Sequence, residues 1–583
     1  MPANAVLSFR VNRDRVVLND ARSGVSWAVQ SGNARIDNWD ELISKKTTQE
    51  LVDQSKQDTT PQYAKQEQPP VAVDDQFGAR PGRVTPLPVL LNDYDPNGDV
   101  LTIDSFTAIP ADQGTIQLTN SDQMLQISLP ATASGSIGFD YTISDGRGGT
   151  ATAHVTVTVR TPNENSPPVC VRTAKAVVQA GGRVSTSVLG DCYDPDGDPF
   201  YLASATVPAP DTVTFTPQGQ VAYSDHGTGG GLKDVALVLS DGRAEGSGQL
   251  AVTVQPPGQV PIIADPFAVV TYQSQEATIR PLDHVRGGNG VVRLSTVPSK
   301  ADATITPDYQ GGTFRFESDQ AGTHNIEYSV TDGVVTTTGT VRIEVKAPPG
   351  AKTTPIAVPH TAFIREQSTQ DVDVLSTDID PSGGVLLVTG VTDPALATGI
   401  KVQVLQQRTL RVSLTRPLSE PVDFHYRLSN GLADTEGTVT VVQLPPLTVH
   451  QPPIAVPDSV AVRVGDVVDI PVLANDVQPD GDKLTLDPTL ATPLPAGAGL
   501  LFATGDHLRY LAPSKPGNYT AAYRVYGADG QWATAEVNIA VRERDVATNN
   551  PPVPKTVTAR VLAGDTVRIT IPLSGIDPDG DSV

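Results

Sequence analysis

Apolar and polar residues alternate along much of the chain, and this alternation predicts β-strands. Phe139, Tyr141 and Ile143 are separated by small or polar residues, and Val155-Thr-Val-Thr-Val159 resumes the pattern after a short gap. Because successive side chains of a strand point to opposite faces, a period of two predicts one buried and one solvated face. Asp145-Gly146 lies between the two runs and favours a tight hairpin turn, since Gly accepts a positive φ.

The same pattern returns with a period of about 95 residues. A Pro-Pro or Pro-Ile pair opens each unit, at Pro69-Pro70, Pro167-Pro168, Pro261-Ile262, Pro355-Ile356, Pro452-Pro453 and Pro551-Pro552. An Asp-Gly or Asn-Gly turn follows later, at Asp145-Gly146, Asp241-Gly242, Asp332-Gly333, Asn430-Gly431 and Asp529-Gly530. The tyrosines before these turns are predicted core residues with a tyrosine-corner hydrogen bond: Tyr141, Tyr328, Tyr426 and Tyr523. Two markers with one period predict a tandem array of a single β unit.

Further motifs recur at fixed places within the units. In the first unit, Pro69-Pro-Val-Ala-Val-Asp-Asp75 precedes a predicted strand from Val84 to Leu91 and an acidic loop, Asn92-Asp-Tyr-Asp-Pro-Asn-Gly-Asp99. The fifth unit has the related segments Pro452-Pro-Ile-Ala-Val-Pro-Asp458, Val472-Leu-Ala-Asn-Asp476 and Pro479-Asp-Gly-Asp482. Residues 67 to 583 thereby resemble bacterial tandem Ig-like and cadherin-like repeats. The resemblance implies an all-β fold, a linear array of Ig-like Greek-key β-sandwiches. Units three and four depart from the acidic loop, with Leu282-Asp-His-Val-Arg-Gly-Gly-Asn289 and Asp378-Ile-Asp-Pro-Ser-Gly-Gly384.

The markers divide the chain into five complete repeats and a truncated sixth. Repeats 1 to 5 are predicted at residues 67–161, 162–258, 259–350, 351–449 and 450–546, and the incomplete repeat at residues 547–583. Residues 41–66 have the composition of a polar linker. Residues 1–40 contain a predicted hairpin, 15–29, that resembles the last strands of a β-propeller blade. Because a lone hairpin is marginal in water, we expect these strands to belong to an upstream domain and the chain to be a fragment.

The composition narrows the classes of function. The chain has 65 Asp and Glu residues against 42 Lys and Arg, a formal net charge of -23 and a pI near 4.7. This balance disfavours nucleic-acid binding, which needs clustered basic residues. No run of about 18 apolar residues predicts a transmembrane segment. Metalloprotease, nucleophile-elbow and phosphate-loop motifs are absent from the sequence, so we expect no enzymatic activity.

The acidic loops are candidate calcium sites, because alternating oxygen ligands can converge on one hard cation. The candidate ligands are Asp93, Asp95, Asn97 and Asp99 in repeat 1, Asp194, Asp196 and Asp198 in repeat 2, Asp476, Asp480 and Asp482 in repeat 5, and Asp577, Asp579 and Asp581 in repeat 6. The same sequence also suits a plain type I turn, with Asp capping, Pro second and Gly fourth. The loop is expected at the pole where the preceding repeat enters. Ca²⁺ there would stiffen the junction between repeats, as the resemblance to cadherins implies.

The chain has only two cysteines, Cys170 and Cys192, both in repeat 2. They are placed symmetrically about a predicted hairpin turn at residues 180–182, so that they would face each other across two strands. A disulfide is the favoured interpretation and would indicate an oxidising compartment. Two separate buried thiols are the alternative.

Together these features predict a non-enzymatic structural or adhesive stalk on the outside of a bacterial cell. Its expected partners are cell-surface or cell-wall components, with a protein or a glycan as receptor. The alternative is an accessory spacer or binding array within a larger secreted enzyme or cell-wall assembly factor.

Overall fold

A computed structural model gives the fold of the chain. It describes residues 7–12, 15–20, 26–28, 34–36, 67–227, 229–309, 311–350, 353–392, 399–447, 449–543, 549, 551–552, 554, 557, 559–569 and 571. The chain divides into two compact units, Met1–Thr59 and Thr60–Val583. The predicted linker, 41–66, and the sixth acidic loop with Asp577, Asp579 and Asp581 lie outside the described residues.

The first unit contains a four-stranded antiparallel meander. Its strands are β1 (Leu7–Asn12), β2 (Arg15–Asp20), β3 (Ser26–Ala28) and β4 (Ala34–Ile36), in the order β1-β2-β3-β4. The hairpin predicted at residues 15–29 corresponds to β2 and β3, in which Val17 pairs with Ala28. The structure adds a strand on each side of that hairpin.

Repeat 1 shows the arrangement that the other repeats share. Its strands are β5 (Asp75–Ala79), β6 (Val84–Leu87), β7 (Thr102–Phe106), β8 (Thr115–Thr119), β9 (Met124–Ser128), β10 (Ser136–Ser144) and β11 (Thr150–Val159). One sheet has the order β5-β11-β10-β7 and the other the order β6-β9-β8. Strand β5 pairs in parallel with β11, whereas β10 and β11 form the antiparallel hairpin that turns at Asp145-Gly146.

Repeats 2 and 3 add two short strands to this set. Repeat 2 has β12 (Val169–Cys170), β13 (Ala174–Gln179), β14 (Arg183–Ser187), β15 (Cys192–Tyr193), β16 (Tyr201–Thr206), β17 (Thr212–Phe215), β18 (Gln220–Ser224), β19 (Gly231–Ser240) and β20 (Glu245–Gln255). Repeat 3 has β21 (Ile262–Ala264), β22 (Phe267–Tyr272), β23 (Ala277–Ile279), β24 (Val285–Gly287), β25 (Arg293–Thr296), β26 (Thr304–Asp308), β27 (Thr313–Glu317), β28 (Gly322–Thr331) and β29 (Thr336–Lys346). The extra pairs are β12 with β15 and β21 with β24.

Repeats 4 and 5 have seven strands each. Repeat 4 has β30 (His360–Ile364), β31 (Thr369–Asp373), β32 (Leu387–Thr392), β33 (Ile400–Leu405), β34 (Thr409–Leu414), β35 (Val422–Ser429) and β36 (Asp434–Gln443). Repeat 5 has β37 (Asp458–Arg463), β38 (Val467–Ile470), β39 (Thr485–Leu486), β40 (Leu500–Thr504), β41 (His507–Leu511), β42 (Gly517–Tyr526) and β43 (Trp532–Arg542). A four-stranded and a three-stranded sheet with the connections of repeat 1 recur in repeats 2 to 5. This confirms the all-β fold of repeated Ig-like sandwiches.

Each sandwich buries its own core between the two sheets. In repeat 1, Leu125 and Ile127 of β9 and Tyr141 and Ile143 of β10 are fully buried in one cluster. The intervening residues of β10 remain exposed or half-buried, as the alternation predicts. Burial of each such aliphatic side chain contributes about 1.5–3 kcal/mol, so one cluster of this kind can hold one sandwich together.

The second strand of repeat 1 is shorter than the predicted Val84–Leu91. Strand β6 ends at Leu87, and Val89–Leu91 forms a 3-10 turn closed by a hydrogen bond of 3.1 Å from Leu91 N to Pro88 O. Pro88 has no N–H group to donate to a neighbouring strand, which explains why the ladder stops there.

A buried tyrosine fastens the segment through which the chain enters repeat 1. Tyr141 Oη lies 2.9 Å from Asp93 Oδ2 and 3.0 Å from Asp75 Oδ2. The other oxygen of Asp93 accepts a hydrogen bond of 2.8 Å from Val73 N in the entry segment. We call this the tyrosine–aspartate tie. It joins the last hairpin, the end of the second strand and the entry segment at one point.

The tie recurs in repeats 4 and 5. Tyr426 Oη donates to Asp378 Oδ2 at 2.7 Å, and Tyr523 Oη lies 3.1 Å from Asp476 Oδ1. In both repeats the entry segment donates a backbone N–H to the same aspartate. In repeat 3, Val285 takes the aspartate's place beside the entry strand, and the buried hydroxyl of Tyr328 has no hydrogen-bond partner among the described residues. The predicted core tyrosines are thus buried, and three of the four carry a hydrogen-bonded hydroxyl.

Replacing Tyr141 with Phe tests the tie. Because two buried carboxylates lose their shared donor, Tyr141→Phe should destabilise repeat 1 by about 1–3 kcal/mol. Tyr328→Phe is the matched control, since its hydroxyl makes no bond to lose, and should change stability by less than about 0.5 kcal/mol. Urea unfolding read by pulse proteolysis, with peptides assigned to each repeat, measures both. Equal losses in the two variants would contradict the tie.

Candidate cation-binding site at the entry pole

The acidic loop and the Asp-Gly turn of repeat 1 lie side by side where the chain enters the repeat. Gln68 N donates to Asn97 Oδ1 at 3.0 Å, so the loop contacts the entry segment directly. Arg147, in the turn, places Nη1 3.0 Å from Asp99 Oδ2 and Nη2 2.8 Å from Glu67 Oε2. The predicted location of the loop at the entry pole is therefore confirmed.

One oxygen of each key carboxylate shapes its own turn. Asp95 Oδ1 accepts hydrogen bonds from the N–H groups two and four residues ahead, at 2.7 and 3.0 Å. Asp145 Oδ1 does the same in the Asp-Gly turn, at 2.7 and 3.0 Å. These are the bonds of a well-formed Asx turn. The plain-turn interpretation therefore accounts for Oδ1 of each carboxylate and leaves Oδ2 unexplained.

The remaining oxygens of the cluster are buried without a hydrogen-bond partner among the described residues. They are Asp95 Oδ2, Asp145 Oδ2 and Glu67 Oε1. Asp95 and Asp145 are only 3% and 2% exposed. Burial raises the pKa of Glu67; Arg147 opposes this, while the charges of Asp99 and Asp145 add to it. Glu67 and Asp99 thus pair with the guanidinium of Arg147, and the charges of Asp95 and Asp145 act on the same cluster, an excess of negative charge that an added cation would stabilise.

Two members of this cluster, Glu67 and Asp145, are missing from the ligand set predicted from the sequence. The sequence did contain a signal for Asp145: the acidic loop and the Asp-Gly turn recur with the same period, which indicates that they keep a fixed position relative to each other in each repeat. As the side chains stand, no group of three or more His, Cys, Asp or Glu residues is placed to hold a metal ion in the described part of the chain. The cluster supplies suitable hard oxygen ligands but is not preassembled around one point.

In repeat 2 the acidic loop is occupied by arginines of repeat 1. Asp198 Oδ1 accepts a hydrogen bond of 3.0 Å from Arg80 Nε, and Asp196 Oδ1 lies 3.2 Å from Arg160 Nε. Asp194 caps its own turn through Oδ1, and burial raises its pKa to about 7. Positive charge from the preceding repeat therefore already neutralises part of this loop.

Two predicted ligands, Asp93 and Asp476, belong instead to the tyrosine–aspartate tie. Their carboxylates are bonded to a tyrosine hydroxyl and to the entry segment, which directs them away from the loop. In repeat 5, Asp480 Oδ2 accepts a hydrogen bond of 3.0 Å from Gln451 N, while Asp482 is exposed. The structure therefore does not bring Asp476, Asp480 and Asp482 together around one point in the way that the sequence predicted.

Repeats 3 and 4 pair a carboxylate with an amide at the same pole. Asn289 Nδ2 donates to Asp332 Oδ2 at 3.0 Å in repeat 3, and Asn430 Nδ2 donates to Asp380 Oδ1 at 3.2 Å in repeat 4. A neutral asparagine amide therefore donates a hydrogen bond to the aspartate, at the place where repeat 1 has two carboxylates. These two repeats thus lack the pair of like charges that repeat 1 has at this pole.

The two cysteines form the predicted disulfide, Cys170–Cys192. They pair across β12 and β15, that is, between the entry segment and the end of the second strand. Cys192 takes the place of Asp93, and Leu237 takes the place of Tyr141 on the last hairpin. In repeat 2 the disulfide thus replaces the tyrosine–aspartate tie.

A comparison with known protein families identifies the family to which the chain belongs. The model of the bacterial Ig domain matches residues 67–158, 165–255, 352–442 and 450–540, more than half of the chain. The chain belongs to the bacterial Ig domain family. The unmatched residues between the second and third matches contain repeat 3, which has the same sheets as its neighbours. The described residues therefore contain four repeats that the bacterial Ig model matches and one further sandwich with the same sheet order.

The chain is similar to solved structures of tandem Ig and cadherin domains. Sidekick-1 immunoglobulin domains 1-5 are 12% identical, with 84% of this chain and 100% of that chain covered and a TM-score of 0.20. Drosophila N-cadherin EC1-4 is 12% identical, with 64% and 100% covered and a TM-score of 0.19. An endo-fucoidan hydrolase of glycoside hydrolase family 107 is 15% identical at a TM-score of 0.16, with 49% of this chain covered, which spans 45% of that chain. No curated protein matches this chain. Within the described residues, no helix could span a lipid bilayer.

The buried acids of the tie predict an unusual pH dependence. Burial raises the pKa of Asp75 to about 7 and that of Asp93 to about 6. An acid whose pKa is raised by folding stabilises the fold below its unfolded pKa, and this contribution is lost as the pH rises through the folded pKa. Repeat 1 should therefore become more stable, by about 3–4 kcal/mol, when the pH falls from about 8 to about 5.

Asp75→Asn should flatten this dependence, because the amide does not ionise. Urea unfolding at a series of pH values, read on peptides of repeat 1, measures it. A stability of repeat 1 that falls over the same interval in the unsubstituted chain would contradict the assignment.

Proposed function

We propose that this chain is a non-enzymatic, extracellular structural and adhesive array of bacterial Ig repeats. The observation that carries the proposal is the succession of five complete sandwiches, each with its own core and each entered through a fastened pole. Such repeats suit a spacer that presents binding surfaces away from the cell. The proposed partners are cell-surface or cell-wall components, with a protein or a glycan receptor.

The disulfide supports an extracellular location. Both cysteines of the chain are joined in one bond. Disulfides persist in oxidising compartments such as the cell exterior and are rare in the cytosol, where thiols are kept reduced. The acidic net charge of -23 is consistent with a soluble array in that setting.

The use of the buried ionisable groups supports a structural rather than a catalytic role. Lys233, in repeat 2, lies 2.7 Å from Asp211 and 2.5 Å from Asp225, which lowers the pKa of Asp211 to about 2. The carboxylates of the tie are likewise engaged with a tyrosine and the backbone. A catalytic acid or base needs access to substrate, which these hydrogen-bonded and largely buried groups lack.

Exposure on intact cells tests the proposed location. Brief protease treatment of intact cells that make this chain should release peptides from residues 67–543 before any cytosolic marker appears. Recovery of these peptides only after lysis would contradict an extracellular array.

Calcium stiffening is the second part of the proposal and is confined to repeat 1. Its cluster of Glu67, Asp95, Asp99 and Asp145 combines buried oxygens that lack partners with an excess of negative charge. Binding would draw these carboxylates together and fix the entry segment against the loop. In repeat 2 the arginines already supply positive charge, so less calcium dependence is proposed there.

Calcium titration of the whole chain tests this part. A ligand bound only by the folded state stabilises it by RT ln(1 + [L]/Kd), about 2.7 kcal/mol at 100 times Kd. Calcium should therefore protect repeat 1 in urea, and Asp145→Asn should abolish the gain. Asp529→Asn, at the same turn of repeat 5, is the control, because Asp529 is bonded to Gln531 there. Identical unfolding of repeat 1 with calcium and with chelator would remove calcium from the proposal and leave the array intact.

A further inference from the structure

Arginines bridge the junction between repeats 1 and 2, and Arg80 makes the most bonds there. Arg80, at the end of β5, donates from Nε to Asp198 Oδ1 at 3.0 Å and from Nη2 to Asp198 Oδ2. The same guanidinium donates to the backbone oxygens of Thr161 and Glu164 in the connecting segment. One side chain thus holds the first repeat, the connection and the acidic loop of the second repeat.

This contact is well shielded from solvent. The side chains of Arg80 and Asp198 are 7% and 14% exposed. The two-pronged geometry matches the guanidinium fork to the carboxylate, which is the strongest form of this pair. Beside it, the rings of Phe77 in repeat 1 and Tyr193 in repeat 2 meet edge to face at 5.4 Å. The junction is therefore an interface with apolar and ionic parts.

The position of Arg80 can be followed through the array by backbone geometry. It lies two residues before the left-handed residue that closes the first turn of each repeat, which is Gly82, Gly181, Ser274, Gln367 or Gly465 in repeats 1 to 5. The residues at this position are Arg80, Gln179, Tyr272, Arg365 and Arg463. Three repeats have arginine here and two do not.

The position of Asp198 can be followed in the same way. It lies six residues after the residue that faces the entry segment, which is Cys192, Val285, Asp378 or Asp476 in repeats 2 to 5. The residues at this position are Asp198, Val291, Gly384 and Asp482, and the corresponding residue of the sixth loop, outside the described residues, is Asp581. Arginine precedes each repeat that has aspartate, and a different residue precedes each repeat that has valine or glycine.

We propose that an arginine–aspartate latch, encoded by these two positions, locks repeat 1 to repeat 2 and repeat 4 to repeat 5. The junctions on either side of repeat 3 lack both partners. Repeat 3 is held instead by Arg342, which donates to the backbone oxygens of Val100 and Ser144 in repeat 1. The pole that carries the latch arginine is thus an interaction surface whose partner is the acidic loop of another Ig repeat. The latch depends neither on calcium nor on the location of the chain.

Two other arginines make parts of this contact, while Asp482 itself is exposed and is not bonded to Arg365 among the described residues. Arg365 Nη1 donates to the backbone oxygen of Asp480 at 3.1 Å, so it reaches the loop of repeat 5. Arg463 Nη1 donates to the backbone oxygen of Glu543, which corresponds to the bond from Arg80 to Thr161. By contrast, Gln179 Oε1 accepts from Gly258 N at 3.4 Å within the connection after repeat 2.

Hydrogen exchange of the whole chain tests the latch by loss. Arg80→Gln should raise the exchange rate of residues 160–168 by about tenfold, because the connection loses its donor and Asp198 its partner. Arg411→Gln is the control, since it removes an exposed two-pronged pair with Asp371 inside repeat 4. The double variant Arg80→Asp with Asp198→Arg should recover most of the protection. A change below about twofold in Arg80→Gln, or no recovery in the double variant, would overturn the proposal.

Adding a latch at a different junction tests the proposal a second time, because it should slow hydrogen exchange there without destabilising any repeat. Tyr272→Arg with Gly384→Asp places both latch residues at the junction between repeats 3 and 4. Exchange in residues 347–350 should slow by about tenfold in the double variant and not in either single one. Equal exchange in the double variant and the unsubstituted chain would show that the two positions do not encode the junction.

Discussion

The fastening of the entry segment is the constraint on which each repeat depends, and the tyrosine–aspartate tie is the form it takes in three of the five described repeats. The first strand of every sandwich pairs in parallel with the last, so the chain must be brought across the pole before that pairing can form. A carboxylate that accepts from both a core tyrosine and an entry N–H fixes this crossing at one point. The acidic loop then follows within two residues of that carboxylate, which sets its place at the pole.

The chain solves the same constraint in three chemical ways. Repeats 1, 4 and 5 use tyrosine and aspartate, and repeat 2 uses a disulfide at the same crossing. Repeat 3 places apolar residues there: Phe267 stacks on His284 with ring centroids 3.8 Å apart. The substitutions occur together, Cys192 with Leu237 and Val285 with Phe267, as expected for residues that share one contact. Bacterial Ig repeats thus tolerate large changes at the pole if the entry segment stays fastened.

Much of the fold could be predicted because it is written in local patterns. The alternation through Phe139, Tyr141 and Ile143 and the Asp-Gly turn specify the last hairpin without any long-range information. The disulfide followed from symmetric spacing about a turn. The role of Asp93 could not be predicted in this way, because a loop aspartate and a core aspartate have the same sequence neighbours. Only the fold shows that its partners are Tyr141 and Val73. The role of Arg80 could not be predicted for a related reason, because its partner, Asp198, lies in the next repeat.

Selective reduction of the disulfide tests most directly the claim that a fastened entry segment holds each repeat. Hydrogen exchange of the whole chain should be measured with and without a thiol reductant, at the entry segments 69–74, 167–173, 355–359 and 452–457. Loss of the bond should accelerate exchange in 167–173 alone, by an amount that corresponds to about 2–4 kcal/mol, while the tied entry segments stay protected. Unchanged exchange in 167–173 after complete reduction, or equal acceleration in all four segments, would contradict the account.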